Sequence, residues 1–163
     1  MVSLKYATIN FREYLIINNK YMIILNPYLN FNGNTEEAFN FYKSVFGGEF
    51  SAFQRFKDTP VAADVPKGAE DGIMHVALPI GKNNILMATD AVESMGQKLI
   101  VGNNISLSLN VDSEEEADKY FKLLAAGGKI TMALEKAFWG SYFGMTIDKF
   151  GIQWMISYDP KQE

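Results

Sequence analysis

Apolar residues follow two alternating rhythms along this chain, and the same succession of rhythms occurs twice. In NTEEAFNFYKSVFGGEF, residues 34–50, Ala38, Phe41, Tyr42 and Val45 stand at i, i+3, i+4 and i+7. In SEEEADKYFKLLAAGGKI, residues 113–130, Ala117, Tyr120, Phe121 and Leu124 repeat the spacing. Such spacing lays four apolar side chains on one stripe of a helix. Asn34 and Ser113 are the expected N-caps, with Glu37 and Glu116 three residues later as capping-box partners. Gly47–Gly48 and Gly127–Gly128 follow, where a left-handed turn meets no Cβ.

Period-two runs surround both helices. NPYLNFN, residues 26–32, alternates Leu29 and Phe31 with Asn30 and Asn32, and SLSLNV, residues 106–111, alternates Leu107, Leu109 and Val111 with Ser106, Ser108 and Asn110. Alternation of this kind predicts strands with one apolar and one polar face. Further strands are expected at 49–56, 73–80 and 85–88, and again at 129–133, 142–147 and 152–158. Each half therefore reads βαβββ, and the fold class is α+β, with paired modules in which one helix covers one face of each sheet. The opposite faces carry Tyr28, Asn30, Ser106, Ser108 and Asn110, and that is the surface expected to meet a ligand.

The division that follows is a single domain over 22–158, made of modules 22–90 and 104–158 with linker 91–103, and a tail at 159–163. Residues 1–21 have no counterpart in the repeat and form an N-terminal extension, expected to add an edge strand. The segment 57–72, with Pro60, Pro66, Gly68 and four acidic residues, reads as a mobile connection.

Composition narrows the chemistry. The 163 residues include 15 Lys or Arg against 19 Asp or Glu, a formal net charge of −4, which argues against a broad nucleic-acid face. Cysteine is absent, which excludes disulfides, thiolate nucleophiles and Cys-ligated zinc or iron–sulfur sites. A single histidine, His75, excludes any one-chain site needing two imidazoles. No apolar run approaches the roughly 20 residues of a membrane span, and no export signal is legible at the start. A cytoplasmic protein is the expectation. Phosphate-loop, GxGxxG, HExxH, GxSxG and EF-hand patterns are all missing.

Three segments carry a family resemblance: NPYLNFNGNTEEAFNFYKSVFGGEF, IMHVALPIGKNNILMATD and FWGSYFGMTIDKFGIQWMI. Together they resemble the PhnB-like branch of the glyoxalase/bleomycin-resistance/dioxygenase (vicinal oxygen chelate) superfamily, over about residues 22–158. The most specific piece is Phe138, Trp139, Gly140, Phe143, Gly144, Asp148, Phe150, Gly151 and Trp154. The resemblance implies two βαβββ modules forming a curved, cup-like mixed sheet, and a homodimer. Some members of the branch carry the label of a demethylubiquinone methyltransferase, but this chain has no Gly-rich strand–turn–helix for S-adenosylmethionine.

Active members of the superfamily hold a divalent metal in the cup as a Lewis acid. Carried onto this chain, the ligand positions fall at Asn26 (or Pro27), about Leu86, Ser106 and Met155. Leu86 has no donor atom, and the Met155 thioether is too soft for Mg²⁺, Mn²⁺ or Zn²⁺. The resemblance then implies a protein that binds a small organic ligand in the cup with no family-type metal, no cofactor and no assigned catalytic residue. Two alternatives stand beside it: a divalent-metal lyase, isomerase or dioxygenase of glyoxalase type, and a structural or partner-binding protein.

The ligand-contact candidates are Tyr28, Asn30, His75, Ser106, Ser108, Phe138, Trp139, Phe143 and Trp154. His75, within MHVAL, reads as a base or lone ligand inside the cup, or as a histidine making one structural hydrogen bond. Phe138, Trp139, Tyr142 and Phe143, with Trp154, read as an aromatic wall for a flat ligand, or as core. Asp148 is expected to close a turn by accepting backbone N–H bonds.

Overall fold

A computed structural model describes residues 23–160. Residues 1–22 and 161–163 lie outside the described residues, and with them the expected N-terminal edge strand. The first module runs β1 (Tyr28–Phe31), α1 (Thr35–Phe46), β2 (Ala52–Arg55), β3 (Ile73–Ile80) and β4 (Asn84–Asp90). The second runs β5 (Leu107–Val111), α2 (Glu114–Ala125), β6 (Lys129–Lys136), β7 (Tyr142–Ile147) and β8 (Gln153–Tyr158). Both are βαβββ, as the duplicated pattern requires.

Topology repeats as faithfully as element order. The sheets are ordered β1-β4-β3-β2 and β5-β8-β7-β6. In each, the strand before the helix lies parallel to the last strand, and the remaining pairs are antiparallel. Tyr28 pairs with Met87 where Ser108 pairs with Met155, and Leu29 with Ala88 where Leu109 pairs with Ile156. Residues at matching places in the two modules can therefore be read off the ladders.

One apolar core joins the halves. On α1, Thr35, Ala38, Phe39, Tyr42 and Val45 are buried; on α2, Ala117, Phe121 and Leu124 are. The helix faces of the sheets supply Phe31, Val76, Leu78, Leu86, Ala88, Trp154 and Ile156 to the same cluster. The modules meet through aromatic rings: Tyr42 and Phe46 each pack on Trp154, Phe46 on Tyr120, and Phe31 and Phe41 on Phe150.

Asp148 fastens this joint. Its Oδ1 accepts from the N–H groups of Phe150 (2.8 Å) and Ile152 (3.0 Å), the turn closure its position predicts. Its Oδ2 accepts from Tyr42 Oη and Trp154 Nε1, both at 2.8 Å. One buried carboxylate thus binds the β7–β8 turn, a strand of its own module and the helix of the other. Burial, followed by the neighbouring Asp148 charge and hydrogen bond, pushes the Tyr42 phenol far above its ordinary value.

Three local expectations are corrected. Asn34 makes no side-chain cap bond; Asp90, at the end of β4, takes that place, with Oδ1 accepting from Thr35 N (3.0 Å) and Thr35 Oγ1 (2.6 Å). At α2 the Ser113 hydroxyl does cap, accepting from Glu116 N at 3.2 Å, but the Glu116 carboxylate reaches Asp112 N, one residue short of a closed capping box. The segment expected to be a mobile connection instead holds two 3₁₀ turns, Phe56–Asp58 and Pro60–Asp64. A small satellite cluster of Phe56, Val65 and Val92 fixes them, because those apolar residues have somewhere to bury.

Gly144 sits inside β7. A Cβ there would lie 2.8 Å from both Leu134 Cα and Phe121 Cε2, so its bare backbone lets α2 and β6 close over the strand.

Candidate functional site

Side-chain parity sorts the candidate residues before any cavity is considered. Leu29, Ala88 and Val76 point to the helix side, so their neighbours Tyr28, Asn30, Met87, Thr89, His75 and Ala77 form the outer face of the first sheet. On the second sheet the outer face is Ser108, Asn110, Met155, Ser157, Phe143 and Met145. The polar alternates at Tyr28, Asn30, Ser108 and Asn110 do turn away from the helices.

His75 has a partner that its sequence context does not reveal. Tyr28 Oη lies 3.3 Å from His75 Nδ1, and the rings stack at 5.8 Å with 21° between their planes. Partial burial raises the Tyr28 phenol, which keeps it a hydroxyl able to donate to the imidazole. On the same face His75 stands across from Gln54 on β2. This is a polar patch, suited to recognition of hydrogen-bonding groups.

Phe138, Trp139 and Phe143 form a second group. Phe138 and Trp139 meet edge to face at 4.8 Å, and Trp139 meets Phe143 at 5.6 Å. Phe138 is 98% exposed, an open apolar ring rather than core. Two rings expected beside them are elsewhere. Tyr142 points to the helix side, where its hydroxyl donates to Asp118 at 2.9 Å. Trp154 also faces the helix side, locked on Asp148 and 3% exposed. The reason is parity: Trp154 pairs with Thr146 and Leu107, whereas Phe143 pairs with Ser157 on the opposite face.

A cleft of about 500 Å³ opens where the two modules adjoin. Asn26 and Ser106, just before β1 and β5, and Ser108 within β5 form its rim, and Phe46, Leu86 and Trp154 form its apolar wall. Ser106, Ser108 and Trp154 are thus brought together among the sequence candidates; Tyr28, Asn30, His75, Phe138, Trp139 and Phe143 lie outside this lining. A separate cavity of about 400 Å³ lies under the 3₁₀ segment, beside α1. Its charged groups are already engaged: Arg55 donates to Glu36 Oε1 and to the Asp71 carbonyl, both at 2.7 Å, and Asp90 Oδ2 accepts from Ile73 N.

The positions the resemblance assigns to a metal can now be tested by register. Asn26 and Ser106 are matching residues, each two places before the paired Tyr28 and Ser108. The counterpart of Met155 is Met87, not Leu86, because Tyr28 pairs with Met87 as Ser108 pairs with Met155; Leu86 matches the inward-facing Trp154. The set becomes Asn26, Met87, Ser106 and Met155. Asn26 Oδ1 already accepts from Ile85 N at 3.0 Å, the hydroxyl is neutral, and both sulfurs are soft. These donors do not fit a hard divalent cation. Among the described residues no three His, Asp or Glu side chains cluster as a cation site, and no helix is long and apolar enough to cross a membrane.

The repeated topology and shared joint accord with sequence comparison. A family model described as 3-demethylubiquinone-9 3-methyltransferase matches residues 24–157. The chain belongs to that family. It is PhnB-like, with the fold of the glyoxalase/bleomycin-resistance proteins. It is 36% identical to Protein YjdN of Escherichia coli K12 over 141 residues, covering 82% of this chain and 93% of that one. Protein PA1353 of Pseudomonas aeruginosa shares its structure at a TM-score of 0.73 and 40% identity, over 85% of this chain and 98% of the other. A PhnB protein of Bacillus cereus follows at a TM-score of 0.67 and 27% identity, over 82% and 98%.

Proposed function

We propose that this PhnB-like chain binds a small, planar, uncharged organic molecule at the junction of its modules, without a family-type metal centre. The observation that carries the reading is the donor set: an engaged amide, a hydroxyl and two thioethers at the family's metal positions, beside a cleft of about 500 Å³ walled by Phe46, Leu86 and Trp154. That volume falls within the range of small-molecule sites, and an apolar wall with a few polar rim groups is their usual composition. Ser106 and Ser108 orient the ligand in this reading. Tyr28, Asn30 and His75 on one sheet, and Phe143 on the other with Trp139 and Phe138 of the β6–β7 turn, extend the recognition surface beyond the cleft. The working unit is a cytoplasmic homodimer, which would cover Ile100 and Val101 of the linker and Ile105 just before β5, exposed by 84%, 77% and 72% in one chain.

The test is a titration of metal-stripped protein with 2-naphthol, followed by calorimetry and by a crystal structure of the complex. Saturable binding with the ring against Phe46 and Trp154 is expected, and Ser108→Trp, which fills the rim, should abolish it. Retention of Mn²⁺, Zn²⁺ or Ni²⁺ at one ion per chain would support the glyoxalase-type enzyme instead. No binding, with Ser108→Trp leaving every property unchanged, would favour a structural role.

A further inference from the structure

We propose that the outer face of the second sheet carries a soft-metal site, a row of three methionine thioethers able to hold a monovalent d¹⁰ cation such as Cu(I) or Ag(I). Met132 on β6 stands across from Met145 on β7, with a register shift on either side of it that breaks the alternation from Ile130, and Met145 pairs with Met155 on β8. Direct cross-strand partners lie on one face of a sheet. That face is the outer one, because the residues flanking Met145 and Met155, namely Gly144, Thr146, Trp154 and Ile156, all turn to the helix side. The row is open: Met132 is 45% exposed, and Met145 and Met155 are half-buried.

Adjacent strands are spaced by about 4.8 Å, so the outer two backbones stand roughly 10 Å apart, with Met145 between them. Methionine is unbranched, with three rotatable bonds and a polarizable sulfur, so three such chains can converge above the central one. Thioethers select soft cations over Mg²⁺, Mn²⁺ or Zn²⁺. They also carry no proton to displace, so binding should not vary with pH where imidazole, carboxylate or thiolate sites weaken. Phe143, one row along the same face, and Trp139 packed on it offer ring faces that favour a nearby cation.

The first sheet supplies an internal control. Its matching row is Tyr28, Met87, Ala77 and Ala52, with a single thioether. The duplicated architecture therefore presents the donor row in one module and omits it in the other. A feature required by the fold would appear in both.

Ag(I) titrated into the full chain carrying ¹³C-methyl-labelled methionine tests the site by NMR. The expected result is that the Met132, Met145 and Met155 methyl signals shift together and saturate at one ion per chain. Met74, Met87 and Met95 should stay in place, and the response should be equal at about pH 5 and about pH 7.5, a range that spans imidazole protonation. Met145→Leu, close to volume-conserving, should remove the saturable response, and Met87→Leu should leave it intact. Shifts spread evenly over all methionines, absence of saturation, weakening at the lower pH, or an unchanged response in both Met145→Leu and Met155→Leu would each overturn the assignment.

Discussion

Asp148 gathers four hydrogen bonds from both modules onto one buried carboxylate, and replacing it with asparagine isolates what its charge does. In Asp148→Asn the amide would keep one carbonyl oxygen for the N–H groups of Phe150 and Ile152, but it would place an NH₂ where Oδ2 now accepts from Tyr42 and Trp154. Tyr42 can rotate its hydroxyl to accept; the Trp154 indole can only donate. One buried N–H is left facing another donor, at about 1–3 kcal/mol. The remaining bonds lose their charge assistance, which roughly doubles a hydrogen bond's strength. Asp148→Asn should therefore destabilise the protein by roughly 3 kcal/mol, a fall in Tm of roughly 6–12 °C at about 2–4 °C per kcal/mol. Tyr42→Phe removes one donor and leaves the carboxylate three others, so it should cost about 1.5 kcal/mol. Urea unfolding followed by tryptophan emission gives both values, and a double-mutant cycle between them should show coupling of about 1 kcal/mol or more. An Asp148→Asn variant within about 0.5 kcal/mol of the parent protein would refute this account of the joint.

The raised Tyr42 phenol has a pH signature. Its protonated form is favoured in the folded state, so its contribution is complete below the unfolded tyrosine value of about 10 and declines as pH rises beyond it. Stability should fall in alkaline solution, and the slope should be shallower in Tyr42→Phe when unfolding is measured from about pH 9 to about pH 11. Gly128→Ala should be severely destabilising, because its Cβ would overlap the Ile147 carbonyl oxygen. Gly151, at φ +87° with open space around it, should lose only about 1–2 kcal/mol as Ala. Thermal melts of the two variants compare them directly. Thr35→Val should cost about 1–2 kcal/mol by removing the hydroxyl donor to buried Asp90, and its α1 amides should exchange hydrogen faster than those of the parent.

Legibility in the sequence followed the range of the forces involved. Strands 73–80 and 142–147 were readable to the residue, the first as a short apolar run ended by Gly81 and the second from its alternating burial, and both helices were readable from their apolar stripes. The α1 cap was not, since Asp90 reaches Thr35 across 55 residues while Asn34 sits in the customary place. Tyr28 and His75 are 47 residues apart, and only the β1-β4-β3 strand order brings them together. Trp154 was open to a better reading. The alternation Trp154, Met155, Ile156 assigns it to the same face as Ile156, and an aromatic wall with Phe143 ignores that parity. The same one-residue rule moves the counterpart of Met155 from Leu86 to Met87. The segment 57–72 looked unstructured because its satellite core is built by Val92, from beyond β4.

Calorimetric titration of 2-naphthol into the protein, with and without EDTA, bears most directly on the claim that ligand recognition here needs no hard cation. Equal affinity and one ligand per chain in both solutions are predicted, with binding lost in Ser108→Trp. Binding that vanishes with the chelator and returns on adding Mn²⁺ or Zn²⁺ would contradict it.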